Sequence, residues 1–178
     1  MRYIDQVEEL RVLLEGADYV GVKIFEGEVT LQEFLAGMFA YRPDLIRFLY
    51  FLRAALVRFL GIRQQPLPEM DEWLPAEVPM LSCGNIWFFS VALAQEDRYW
   101  IGCCPEESHL TAYMGVVVEP LQTPRKRFHF VTIVHYKRWT GRLYFLLVLP
   151  FNLFFVNRLA HAGLAGKAWK ASKWNPNA

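Results

Sequence analysis

The sequence predicts an α+β domain in which a curved antiparallel sheet wraps on one long C-terminal helix, in the order β-α-α-β-β-β-β-α. Residues 85–138 alternate apolar and polar positions in four runs split by short turns, which makes the runs antiparallel neighbours. Residues 140–164 form one apolar stretch, too long for a strand. The chain of 178 residues carries 14 Phe, 8 Tyr and 6 Trp and is 54% apolar, so a large core must be enclosed. The same figures exclude a disordered chain, and three cysteines exclude a disulfide-stapled miniprotein.

The first strand is Asp18–Phe25, aromatic and β-branched, and it stops at Glu26-Gly27-Glu28. Thr30 followed by Glu33 is a capping box that opens a helix through about Ala40. Pro43 interrupts, and Asp44 starts a second helix that Gly61 ends near Leu60. Four prolines between residues 63 and 85 predict an irregular crossing. Asn85–Ala94 then reads as a strand with Trp87, Phe89, Val91 and Leu93 on one face. Arg98–Cys104 and His109–Val118 follow, the latter with Leu110, Ala112, Met114, Val116 and Val118 on one face. Arg127–Arg138 sets Phe128, Phe130, Thr132, Val134 and Tyr136 against His129, Val131, Ile133 and His135. Both faces of that strand are apolar, so cover is needed on each; a partner chain in a homodimer would supply it. The long helix closes the domain, with Pro150 expected to kink it. Its apolar maximum, Leu143 to Val156, is shorter than the ~20 residues of a bilayer span and is bounded by Arg142 and Arg158, which predicts a buried helix. Residues 1–164 thus read as one domain and 165–178 as a tail.

The net charge of +1 conceals a polarity. Residues 1–119 hold 9 Lys+Arg and all 18 Asp+Glu; residues 120–178 hold 10 Lys+Arg and no acid. Such asymmetry points to an anionic partner or to two parts that attract each other. Cys83, Cys103 and Cys104 form no CxxC, and no His stands at zinc spacing from them, so reduced thiols in a cytoplasmic protein are expected. The N-terminal MRYIDQVEELRVLLEG is charged and amphipathic, without a signal-peptide core. His129 and His135 share a strand face about 20 Å apart, too far to share one metal. There is no GxSxG, P-loop or GxGxxG. No metal or cofactor is expected, and nucleic acid is a poor fit.

Four stretches resemble the bacterial family catalogued as domain of unknown function 2867. They are Ala17-Asp18-Tyr19; Leu52 to Arg58 with Leu60-Gly61; Ile101-Gly102 leading to His109-Leu110; and Val134-His135 with Gly141-Arg142-Leu143-Tyr144 and Pro150-Phe151. The resemblance covers nearly the whole chain. It implies a helix-grip fold similar to the START and polyketide-cyclase (SRPBCC) superfamily, with an apolar cavity between sheet and helix. It assigns no reaction. Fusions of relatives to epimerase-like or reductase-like domains imply an accessory, ligand-handling role. Gly21, Ala54 and Asn152 depart from the polar pattern of that family.

A cavity of this kind would be lined by Trp87, Phe89 and Met114, with Arg53, His109, His135, Tyr144 and Asn152 as the polar groups that orient a ligand. The bland alternative for each is a structural hydrogen bond or a cap. A small apolar molecule or lipid, bound without chemistry, is the leading expectation; a cyclase- or dehydratase-like enzyme would need polar groups to converge in the cavity. In the tail, Lys167, Lys170 and Lys173 interleave with Trp169 and Trp174, which suits peripheral contact with an anionic membrane or with a protein surface.

Overall fold

The computed structural model describes residues 3–40, 78, 80, 84–86, 89–105 and 108–165. The expected helix of residues 44–60 with Arg53, as well as Trp87 and the tail residues Lys167, Trp169, Lys170, Lys173 and Trp174, lie outside them. The strands are β1 (Tyr19–Gly27), β2 (Asn85–Ile86), β3 (Phe89–Gln95), β4 (Tyr99–Cys103), β5 (Leu110–Pro120) and β6 (Lys126–Tyr136). They form one sheet in the order β1-β6-β5-β4-β3-β2, every pair antiparallel. Among the described residues three α-helices accompany it: α1 (Arg11–Leu14), α2 (Leu31–Ala40) and the long α3 (Trp139–Leu164). The chain is therefore α+β, with a helix-grip-like arrangement of sheet and C-terminal helix.

Local chemistry sets the element ends. Thr30 Oγ1 accepts from the Glu33 backbone N–H (3.1 Å) and Glu33 Oε2 accepts from the Thr30 N–H (3.0 Å). That reciprocal pair satisfies two otherwise orphaned donors at the start of α2. Asp18 Oδ2 accepts from the Tyr136 N–H (2.7 Å), pinning the start of β1 to the end of β6. The register that follows, Tyr19 opposite Val134 and Phe25 opposite Phe128, decides which side chains face α3.

Each sheet face has its own core. On the helix side, Phe128, Phe130, Met114, Val116, Val118, Trp100, Phe89 and Val91 pack on Leu31, Phe34, Leu35, Met38 and Phe39 of α2 and on Val156, Leu159 and Ala160 of α3. Burying each large side chain is worth about 1.5–3 kcal/mol. The two helices touch backbone to backbone: a Cβ on Gly37 would lie 2.7 Å from the Ala162 carbonyl oxygen, and one on Gly163 would lie 2.7 Å from that of Phe34. On the opposite face, Tyr99, Ile101, Val117, Val131 and Ile133 are covered by Ile4, Val7 and Leu10. The cover that β6 required on its second face is thus supplied by the N-terminal segment of the same chain.

Two expectations need correction. The stretch 85–94 is not one strand: Ile86 pairs with Phe89 and Asn85 with Ser90, so β2 and β3 run back on each other. A register shift between Val91 and Leu93 then sends Val91 to the helix side and Leu93 to the N-terminal side, where strict alternation had put them together. Nor is α3 buried: only 28% of its most apolar window is enclosed. Trp139, Leu143, Leu146, Leu147, Phe151, Leu153 and Phe154 are exposed, while Gly141, Tyr144, Phe145, Val156, Leu159, Ala160 and Gly163 are buried. By length and composition α3 could cross a bilayer. Because the helix is apolar all round, its sequence carries little sign of which side meets the sheet.

Candidate functional site

Between the β1–β6 edge and the middle of α3 lies a pocket of about 120 Å³. Its walls are Tyr19, Gly21, Val22 and Lys23 of β1, Phe130 and Thr132 of β6, and Asn152, Leu153 and Val156 of α3. The β register explains the set. Gly21 stands opposite Thr132 and Lys23 opposite Phe130, all on the helix side with Tyr19. The Tyr19 ring lies over Gly21, where a Cβ would be 2.6 Å from the phenol oxygen, so a larger residue there would displace that ring. The Tyr19 ring in turn leans on Phe145, with centroids 4.8 Å apart.

Among the described lining residues Lys23 is the charged one. Its Nζ donates to the Leu153 carbonyl and to Asn157 Oδ1 (3.0 Å). Burial pushes its ammonium below the ordinary lysine range. The remaining polar groups are the Tyr19 and Thr132 hydroxyls and the Asn152 amide; the apolar part is Phe130, Leu153 and Val156. Among the described residues, no carboxylate, imidazole or thiol lines the pocket, and no three His, Cys, Asp or Glu side chains gather as they would around a metal ion.

Of the residues singled out in the sequence, Asn152 lines this pocket. Phe89 and Met114 are core residues beneath α2. His135 is on the opposite face, where its Nε2 meets the Leu13 carbonyl (2.9 Å) and its ring meets Tyr113. His109 and Tyr144 form a second group, at the corner where α3 leaves β6. The His109 ring is 1% exposed and meets Tyr144 edge-on at 5.0 Å. The His109 carbonyl accepts from the Lys137 and Arg138 N–H groups (2.9 and 3.2 Å), and Gly141 packs directly against it. Two of the stretches quoted for the family resemblance, His109-Leu110 and Gly141 to Tyr144, therefore meet in space and aim the helix.

Lys23 and Thr132 were not singled out in the sequence as site residues. The available signal was a lone cation, Lys23, at the same parity as Tyr19 and Phe25 in an otherwise apolar strand. Thr132 likewise interrupts the apolar series Phe128, Phe130, Val134.

A comparison with known families matches residues 13–159 to the family described as "Protein of unknown function (DUF2867)". No curated protein and no solved structure matches the chain.

Proposed function

The chain belongs to the DUF2867 family, and from that premise we propose that it binds a small ligand, without chemistry, in the pocket between β1–β6 and α3. The mode would be that of START and polyketide-cyclase-like (SRPBCC) proteins, whose ligands lie between sheet and C-terminal helix. The supporting observation is the pocket itself, concave, mainly apolar and furnished with a few convergent polar groups. A cavity of ~150 Å³ accepts a benzene ring, so about 120 Å³ receives a molecule of that size or one end of a longer one. The lack of a carboxylate, imidazole or thiol in the described lining favours a binder over a cyclase- or dehydratase-like enzyme. Native mass spectrometry of gently purified protein tests the proposal, together with displacement of the dye 8-anilinonaphthalene-1-sulfonate from the wild type and from Leu153→Trp. Leu153 lines the pocket and is partly exposed, so the larger ring fills the mouth without entering the core. Bound small molecule, and displaceable dye whose affinity falls several-fold in the variant, are expected. Dye binding indifferent to Leu153→Trp, with no co-purifying molecule, would sink the proposal.

The outward face of α3 supports a second reading, peripheral contact with an anionic lipid surface. Its exposed Leu and Phe side chains lie between Arg142 and Arg158, and no acid occurs after Glu119.

A further inference from the structure

The pocket is furnished for one negative charge. Among the described residues Lys23 has two hydrogen-bond partners, a main-chain carbonyl and a side-chain amide oxygen, both uncharged. No carboxylate of a described residue lies within ion-pair distance of it; the ion pairs in that part of the chain join other residues, such as Arg127 with Glu26 and Glu119. An ammonium has three N–H donors, so one remains to point at a ligand. Partial burial among neutral dipoles carries some cost for a cation, in keeping with the downward push of burial on the Lys23 ammonium. A bound anion would remove that cost.

We infer that the pocket takes a short monocarboxylate, with its charge on Lys23 Nζ and its hydrocarbon body against Phe130 and Val156. The inference rests on the reading of this pocket as a ligand site. The Thr132 hydroxyl and the Asn152 amide line the same pocket and supply neutral donors for a second carboxylate oxygen. A carboxylate suits the site better than a phosphate because one cation balances one charge. A dianion would bring a second, uncompensated charge into a partly enclosed space. Phosphate sites also draw on the fork of an arginine or the first turn of a helix, and the described lining has neither; its α3 residues lie in mid-helix. The volume sets the length, since about 120 Å³ matches a body of about six heavy atoms.

The test uses the full chain with three branched four-carbon probes that differ in charge: isobutyrate, neutral isobutyramide and cationic isobutylammonium. Binding is followed through the backbone amide resonances of Gly21, Lys23, Thr132 and Asn152. Isobutyrate is expected to shift these resonances and to bind most tightly, and isobutylammonium least. Lys23→Met should erase an anion preference of about tenfold, and Lys23→Arg should keep most of it. Should Lys23→Met fail to fold, the order of the three probes on the wild type and on Lys23→Arg decides. Equal binding of acid and amide, or a preference that survives Lys23→Met, overturns the carboxylate inference and leaves the pocket as a ligand site. A pocket whose resonances respond to none of the probes overturns both.

Discussion

Gly141 shows how one missing Cβ aims an element. It sits at the first turn of α3 against the His109 carbonyl, which is already fixed by two main-chain donors from residues 137 and 138. An added methyl has nowhere to go, because the obstacle is backbone rather than the end of a flexible side chain. Gly141→Ala should therefore destabilise the fold by about 1–3 kcal/mol, read as a lower urea midpoint with an unchanged slope. A midpoint equal to wild type would show that the corner can relax. A second residue-scale effect concerns acid. Glu119 Oε2 meets His129 Nε2 at 2.8 Å and Arg127 Nη1 at 3.2 Å. The bond to His129 holds the Glu119 carboxyl below the ordinary range near 4.5, helped by Arg127 and opposed by burial. A carboxyl depressed in the folded state stabilises fully above its unfolded pKa, and the contribution fades as pH falls through the folded value. Wild-type stability should thus decline on acidification below about pH 4.5. Glu119→Gln should start less stable at neutral pH and show a shallower acid slope. Parallel pH–stability curves for the two proteins would contradict this.

Elements differ in how openly the sequence announces them. The capping box at Thr30 and Glu33 marked the start of α2 because it is local chemistry between residues three apart. Thr30→Ala should cost about 1 kcal/mol, measured by thermal or chemical melting. The two faces of β5 and β6 were legible for the same kind of reason: strict alternation survives where a strand is flanked on both sides. The β2–β3 stretch was not, since alternation continues through the residues that reverse the chain, and a bulge needs no special residue type. The cover on the second sheet face was also hidden. Ile4, Val7 and Leu10 look like one side of a free amphipathic segment until Val131 and Ile133 are placed beneath them. Ile4 is wholly buried there, so Ile4→Ala should destabilise by about 2–4 kcal/mol. Exposing that face should also promote self-association, visible in sedimentation velocity; a stable, monomeric variant would mean that the segment is dispensable. The pocket was the least legible feature. It joins β1 to the much later β6 and α3, and of its polar groups only Asn152 was among those expected to orient a ligand.

Across the whole molecule the charge polarity of the sequence divides in two. Arg125, Lys126 and Arg127, at the start of β6, lie against Glu26, Asp97 and Glu119, so part of the asymmetry is internal complementarity. Farther along, no acid among the described residues forms an ion pair with Arg142 or Arg158, which bracket the exposed apolar side of α3. Arg158 lies over the Phe154 ring at 5.4 Å, a pose that keeps its charge at the border of that apolar side. An apolar strip edged by cations is the composition of an interfacial helix, and each such cation adds about 1 kcal/mol of attraction to an anionic leaflet. Leu153 belongs both to this strip and to the pocket wall, so a molecule held by the pocket would lie beside the same surface. The full chain should therefore float with phosphatidylserine vesicles at low salt and less so at high salt. Phosphatidylcholine vesicles should retain little of it. Leu146 is 66% exposed, and the double change Leu146→Glu, Leu147→Glu should lower the bound fraction at least about tenfold, since two anions then face a negative surface. The melting midpoint should hardly move, because neither side chain enters a core. Deleting residues 165–178 separates the helix from the tail. If that deletion abolishes flotation while the double variant floats like wild type, the basic tail makes the contact and the outward face of α3 does not.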